Sequence, residues 1–589
     1  MLDAVVAKLG NTRSAVEGAP TFARLLLQEV DSGVAGELGE AALADLANGA
    51  LDYIREKPAG GHKLRHRRVG GASVIEIVND DMPFLVDSVM GEVQAHDCAV
   101  KLVLHPIFKT KRSVAGVLQA VTGPGDKQWQ QGQESFIQVV TEAIDDGAAK
   151  ALIAGIDQVL VQVRAAVADW RQMLARVREV IETYRSAALP VSEAERQESI
   201  AFLEWLEAGN FTFLGIREFN LTGGVETGVL DVDAGRGLGI LRDPAVRVLR
   251  RGSDQVHLTP EVKRFYQQPT VLTVAKANTL AKVHRRTYLD YVGAKTFDAD
   301  GRVAGEVRIV GLFTSGAYTR SVRAIPFLRR KADRVIAASG FPPDSHNGKS
   351  LLNVIETFPR DELFQIPVDQ LETWALEILD LDLRPRVRVF PRIDEFDRFV
   401  TALVYVPRDR FSTDVRVRIA QLLAEAYQGT LASFTPHFME GTLVRIHLVI
   451  SRNEGPTPRP DRAMLEDKVR AIVQSWQDRF AQMVRSGPAG GAAALVAKYG
   501  NAFSAAYREA FGPERALQDI GRIESLSDAN PVAIDFYADD SGKPGRLRVA
   551  LYRLGESIPL EEQPGGPAAG WSHVSHQEGT VRGSPHSVP

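Results

Sequence analysis

The chain has 589 residues, with 70 Lys and Arg against 74 Asp and Glu and a formal net charge of -4. Its 44% hydrophobic and 24% charged content is that of a folded globular protein, and its length calls for several cores rather than one. Balanced charge argues against a nucleic-acid partner held by phosphate neutralisation, and the single cysteine, Cys98, excludes a disulfide framework or a thiolate metal cage.

Residues 1–65 read as a helical N-terminal segment, best at 41–51. Met1 to Lys8 show no basic stretch followed by an apolar run, so no secretory signal is visible. The apolar stretch 399–406 is far below the ~20 residues that span a bilayer. A cytoplasmic protein without membrane contact is expected.

Residues 66–185 carry the first clear pattern. A β-branched strand at 73–78 stops at Asn79-Asp80-Asp81, whose side chains read as N-caps, with Pro83 in the first helical turn. Val86, Val89, Met90 and Val93 then mark one helical face. Strands follow at 99–109 and 135–141, separated by a Gly-rich loop at 123–132. A long amphipathic helix runs from 152 to about 184. This order is most of a ferredoxin-like βαββαβ unit, an antiparallel sheet with helices on one face.

Residues 186–270 read as a connector of helix and short strands. In 271–384, strands 288–297 and 302–313 flank the turn Asp298-Ala-Asp-Gly301, and helices follow from 351 to 381, which gives a second module with loose boundaries. Residues 385–485 repeat the first plan: strand 399–406, a helix capped by Ser412 with Val415, Ile419, Leu422, Leu423 and Ala426 inward, two strands, and a helix at 465–476. Residues 486–558 alternate helix and strand. The Gly-, Pro- and His-rich residues 559–589 have no period and read as a disordered tail.

Motifs for chemistry are scarce. No P-loop, H-E-x-x-H, C-x-x-C or nucleophile elbow is present. Gly235-Arg-Gly237-Leu-Gly239 lacks the third glycine position of a dinucleotide turn and reads as a surface loop. Asn79, Asp80 and Asp81 are candidates to hold a metal or an amino group, against plain helix capping. His346 and Lys349 are candidates to meet an anion, against a loop and N-cap before a helix near Leu351. The basic runs 282–286 and 328–334 read as solvated strand and helix faces. Arg386, Arg388 and Arg392 mark a strand with one charged face. His105 reads as a strand-end hydrogen bonder and Cys98 as a small, half-buried side chain.

Six ordered blocks carry a resemblance. They are Met82-Pro-Phe-Leu-Val-Asp-Ser-Val-Met90, Glu134-Ser-Phe-Ile-Gln138, Gly209-Asn-Phe-Thr-Phe-Leu-Gly215, Tyr288-Leu-Asp-Tyr-Val-Gly293, Glu356-Thr-Phe-Pro-Arg-Asp-Glu-Leu-Phe-Gln365 and Val404-Tyr-Val-Pro-Arg-Asp-Arg-Phe411. Together they resemble the N-terminal half of the large bacterial NAD-specific glutamate dehydrogenases, out to about Ser557. The resemblance implies an α+β fold of several ACT-like modules joined by helices. It also implies a homo-oligomeric enzyme that oxidises L-glutamate with NAD, the catalytic and NAD-binding domains lying beyond this sequence. No catalytic, cofactor or metal residue is carried over, and NAD is the cofactor of the full-length family.

Two departures stand out. Amino-acid-binding ACT modules often carry Asp-x-Pro-Gly after the first strand, and here Asp81-Met-Pro83 is followed by Phe84, which weighs against ligand approach. After Glu556-Ser-Ile558 the sequence leaves the family pattern, as truncation or a change of frame would make it. The expected role is a regulatory and oligomerisation region, partnered by further copies or by the catalytic half, with Asn79, Asp80, Asp81, His346 and Lys349 as effector or interface positions for a small amino acid. The alternatives are a stand-alone ACT-type sensor without catalysis, or an unrelated enzyme.

Overall fold

The structure is a computed structural model describing residues 16–127, 132–227, 229–232, 237–246, 248, 260–452, 455–486, 492–538 and 547–555. The expected disordered tail, the departure at Glu556–Ile558, Met1 to Lys8, Gly235 and part of the 123–132 loop lie outside the described residues. The chain divides into two compact units. One holds Met1–Leu383, Arg392–Val400 and Arg452–Pro456, and the other holds Arg384–Pro391, Thr401–Ser451 and Thr457–Pro589.

The first unit opens with helices α1 (Ala19–Leu27) and α2 (Ser32–Ile54). Strands β1 (Lys63–Val69) and β2 (Ala72–Asp80) form an antiparallel hairpin across Gly70-Gly71. The φ values of these glycines, 55° and 82°, suit a two-residue hairpin turn. Lys-Leu-Arg-His-Arg-Arg-Val does not read as a strand because its charges hide the period. In the fold Arg65 and Arg67, themselves half-buried, donate to the fully buried Glu76 at 2.6 and 3.0 Å, so the charged row neutralises a carboxylate of the sheet.

Next come α3 (Leu85–Ala95), β3 (Val100–Leu104), β4 (Ile107–Arg112), β5 (Leu118–Thr122), β6 (Gln133–Thr141) and α4 (Asp146–Ser186). The strand expected at 99–109 is broken at His105-Pro106, and both halves pair with β6. Strand order is β1-β2-β6-β4-β5. A βαββαβ unit places the strand after its second helix beside its first strand. Here β1, which comes earlier in the chain, fills that place, and the second helix runs on instead.

Helices cover both faces of this sheet, not one as expected. Ile75, Ile77, Ile137 and Val139 pack with Leu85, Val89, Leu152 and Ile156 of α3 and α4. Val74, Val78, Phe136 and Val140 pack with Phe22, Leu26, Leu43 and Leu46 of α1 and α2. The physical reason is visible in β2 and β6, which carry buried apolar side chains on both faces, Val74, Val78, Phe136 and Val140 on one and Ile75, Ile77, Ile137 and Val139 on the other, so neither face is suited to water. Helix α4 also contains an 18-residue stretch long and apolar enough to cross a membrane, beyond the 399–406 stretch singled out from sequence; a third of it is buried inside the fold.

The second sheet has the order β10-β11-β12-β7-β8, with β9 on β7. Its strands are β7 (Phe211–Thr222), β8 (Val229–Val232), β9 (Leu238–Gly239), β10 (Leu272–Leu280), β11 (Tyr288–Phe297) and β12 (Val303–Phe313). This is a meander closed by β7, not a ferredoxin order, and a division at residue 270 cuts through it. Periodicity hid the pairing because β7 and β12 lie far apart in sequence and join only in space. The basic run 282–286 is the loop between β10 and β11, not a strand face.

Helices α5 (Leu328–Ser339), α6 (His346–Thr357), α7 (Arg360–Gln365) and α8 (Val368–Leu383) follow. Lys331 of α5 gives all three of its hydrogens to carbonyls at the end of α7, those of Leu363, Phe364 and Ile366, at 2.9, 2.7 and 2.8 Å. Burial, aided by Arg392, lowers its pKa to about 7. Lys331→Met leaves three helix-end acceptors without their donor and is expected to lower stability by about 1–3 kcal/mol, read by urea denaturation.

The second ferredoxin-like sheet has the order β13-β14-β16-β15, from β13 (Arg388–Ile393), β14 (Phe399–Pro407), β15 (Thr430–Phe438) and β16 (Leu443–Ser451). Helix α9 (Thr413–Ala426), capped by Ser412, joins β14 to β15, and α10 (Arg462–Val473) follows β16. The plan is that of the first module, with the edge strand again placed before the central one. Ile419, Ala420 and Leu423 of α9 are buried, while Val415, Leu422 and Ala426 are only half covered. Of the arginines expected to give this strand one charged face, Arg386 precedes β13, Arg388 meets Glu466 at 2.6 Å, and buried Arg392 meets Glu362 at 2.7 Å. Residues 476–486 and 492–524 add helices around Trp476, Phe480, Tyr499 and Phe503, and β17 (Val532–Ala538) pairs with β18 (Leu547–Arg553).

Candidate functional site

The turn from β2 into α3 holds the acidic candidates. Asn79 and Asp80 are not helix caps: they continue β2, in register with Ser135 and Glu134 of β6. The cap position falls on Phe84, with φ 74° and no side-chain cap. The ladder to β6 holds the polar pair extended, and the helix starts only after Pro83. Asn79 is fully buried and accepts from Arg164. Asp80 accepts from Lys57 at 2.6 Å and from Arg164 at 3.3 Å, and Glu134 beside it is held by two 2.7 Å bonds from Arg112. Asp81 donates its backbone N–H to Gln133. Two cations already sit on Asp80, so a metal or an amino group would have to displace them. Among the described residues no three His, Cys, Asp or Glu side chains gather as a metal site.

Phe84 keeps the left-handed backbone of the glycine it replaces, and its ring meets that of His284 at 5.1 Å. His284 belongs to the 282–286 loop. Its N–H donates to Ser88 at 2.8 Å and its ring lies 3.3 Å from Asp87, while Arg286 pairs with Glu92 and Lys282 donates to Gln158 at 2.8 Å. The ledge over the β2–α3 turn is therefore covered by the chain's own loop.

His346 and Lys349 stand in the first turn of α6, one turn earlier than the helix start expected near Leu351. The Ser345 hydroxyl accepts the Gly348 N–H at 3.1 Å. Gly348 is fixed by close approach, since a Cβ there would stand 2.3 Å from the Pro342 carbonyl. Both candidate side chains are exposed, and among the described residues no hydrogen bond or ion pair links them to residues 79–81. The described part of the 235–239 run is not a surface loop: Gly239 pairs with Gly215 and donates its N–H to buried Asp169 at 2.7 Å.

Two buried clusters escaped the sequence reading. In the first, Lys276 of β10 lies 2.6 Å from Asp290 of β11 and 3.1 Å from Asp361 of α7, and Tyr318 donates to Asp361 at 3.0 Å. Burial pulls the Lys276 ammonium down, but Asp290 and Asp361 outweigh it and hold its pKa above the ordinary value. Burial pushes Asp290 up to about 6, against the pull of Lys276 and with help from Asp361. In the second cluster, Glu306 accepts from Tyr266 at 2.7 Å, from Tyr291, and from Arg308 at 3.2 Å. The signal for both lay in the 288–293 and 356–365 blocks, which supply Asp290, Tyr291 and Asp361. Neither block reveals its partner in sequence.

Paired ββαββα modules, a meander and helical connectors define a chain of ACT-type modules whose densest chemistry is buried ion pairing. Family models bear this out: glutamate dehydrogenase ACT1 domain at 23–156, helical motif 1 at 325–384, ACT2 domain at 388–477 and helical motif 2 at 482–526. The chain is 35% identical over 83% of its length to the NAD-specific glutamate dehydrogenase of Pseudomonas aeruginosa. It is 34% identical over 83% to that of Halomonas elongata and 28% identical over 80% to that of Mycobacterium tuberculosis. The chain belongs to the NAD-specific glutamate dehydrogenase family. It spans about 30% of the length of these relatives.

Proposed function

We propose that this chain is the regulatory and assembly region of an NAD-specific glutamate dehydrogenase, with hydride transfer from L-glutamate to NAD carried by sequence outside it. The ordered run of ACT and helical-motif matches is the observation that carries this reading. The sequence supports it too, because it contains no phosphate-cradling turn and Gly237-Leu-Gly239 is spent on packing. A stand-alone amino-acid sensor fits less well, because the turn such a ligand would approach is filled by Phe84 and His284.

Purified chain is expected to give no glutamate-dependent NADH absorbance and no heat of NAD binding in calorimetry. Protein positions a nicotinamide against its substrate through a built phosphate site, and no dinucleotide or P-loop motif for one is present in the sequence. Turnover that persists after removal of host dehydrogenase would overturn the proposal.

A further inference from the structure

We propose that Arg360 is the seat of an oxyanion, a phosphate or carboxylate group, which enters when the Ser315–Thr319 turn beside it lifts. The site is apart from residues 79–81, and the inference does not rest on the dehydrogenase reading.

Arg360 opens α7 and is 6% exposed. Its Nη2 meets the Arg320 carbonyl at 2.9 Å and Glu356 at 3.3 Å. Its Nε and Nη1 are buried without a partner, and among the described residues no other side chain leaves two buried polar atoms unpaired. A guanidinium carries five N–H groups in a fork that fits two oxygens at once, so three of the five are unspent here. Leaving charged donors buried and unpaired is costly, and a bound oxyanion would remove that cost.

The neighbouring carboxylates do not meet the need. Glu356 is divided among the Ser321 hydroxyl at 2.5 Å, the Val322 N–H at 3.0 Å and Arg360. Asp361 is taken by Lys276 and by the Tyr318 hydroxyl. Burial accordingly lowers the pKa of Arg360 against the pull of Glu356.

The unpaired nitrogens are closed to solvent, so entry requires a movement, and the cover is thin. In the turn Ser315–Thr319 only Ala317 is buried, while Ser315, Tyr318 and Thr319, with Arg320 after them, are exposed. What holds the turn is polar: Tyr318 donates to Asp361 at 3.0 Å, Thr314 to the Gly209 carbonyl at 3.1 Å, and Arg360 to Arg320. A segment with one buried side chain opens at low cost. Once the turn lifts, Arg360 gives up the Arg320 carbonyl, and its Nη2 joins Nε as a fork for two oxygens. Arg320 moves with the turn. Arg285, which donates to the Phe313 carbonyl at 2.7 Å and lies 5.9 Å over the Tyr318 ring, adds a third positive charge beside it.

Calorimetric titration of the full chain with inorganic phosphate and, separately, with malonate tests this, at fixed ionic strength so that screening is constant. One anion should bind per chain. Heat with phosphate alone assigns a phosphoryl ligand, heat with malonate alone a carboxylate, and heat with both an oxyanion of either kind. Arg360→Gln should weaken binding at least about tenfold. Tyr318→Phe, which loosens the turn and leaves Arg360 in place, should tighten it roughly two- to tenfold, because the share of chains already open rises. That second variant decides the matter if Arg360→Gln melts early. Amides 315–320 should exchange faster with the anion bound. No heat from either anion, or binding that Arg360→Gln or Tyr318→Phe leaves unchanged, would overturn the proposal.

Discussion

Lys276→Met is expected to lower the stability of the first unit by about 3–5 kcal/mol, the usual consequence of removing one partner from a buried ion pair. Lys276 is the cation between Asp290 and Asp361, and Asp290 is almost wholly buried. Without it two carboxylates face each other in a low-dielectric interior. The sign of the pH dependence follows from Asp290, whose pKa burial raises from 3.8 to about 6. Between those values the folded state holds a proton that the unfolded chain has released, so this group's contribution to stability falls as pH rises from about 4 to 6. Removing Lys276 takes away the largest pull that lowers Asp290 and leaves only the Phe313 N–H, so the window moves upward. The deficit of the variant should therefore be smaller at pH 5 than at pH 8, when urea midpoints are compared with the parent. Adding Asp290→Asn should restore more than half of the loss at pH 8. A deficit that does not change with pH would assign the loss to packing rather than to charge.

Glu306→Leu is expected to cost about 3–5 kcal/mol for a related reason: it strands Arg308 and two phenols in the interior. Glu306 is 1% exposed and is the shared acceptor of Tyr266, Tyr291 and Arg308. The site has no slack. A Cβ on Gly293 would stand 2.4 Å from the Tyr291 hydroxyl and 2.7 Å from a Glu306 oxygen. Gly293→Ala should thus lose about 1–3 kcal/mol by overpacking alone. Glu306→Gln keeps the acceptor and should fall between the parent and Glu306→Leu in a guanidinium melt. Equal loss in the glutamine and leucine variants would show that the charge on Arg308, not the shared acceptor, dominates.

These clusters explain why two of the six blocks read so distinctively. Asp290 and Tyr291 come from 288–293, Asp361 and Glu362 from 356–365, and each is tied by an ion pair or hydrogen bond to a residue on another strand or helix. The candidates picked by local composition fared differently. Asn79 and Asp80 looked like caps because polar residues stood between a strand and a helix. What places them is Arg164 and Lys57, 85 and 23 residues away. His346 and Lys349 lie exposed on the helix surface, in a first turn capped by Ser345, which accepts the Gly348 N–H.

The sequence by itself determined the α+β class, the helical period of α3, α4 and α9, the hairpin at Asp298–Gly301 and the likeness of the 66–185 and 385–485 segments in element order. These rest on spacing, which is local: a period of 2 or 3.6 is written within one element. Only the tertiary structure decided that β1 and β13 close their sheets from the N-terminal side, that β7 joins a meander far down the chain, and that the loop after β10 seals the β2–α3 turn. Strand partners and charge partners are set by long-range packing and desolvation, and a buried Arg or Glu looks in sequence the same as a solvated one.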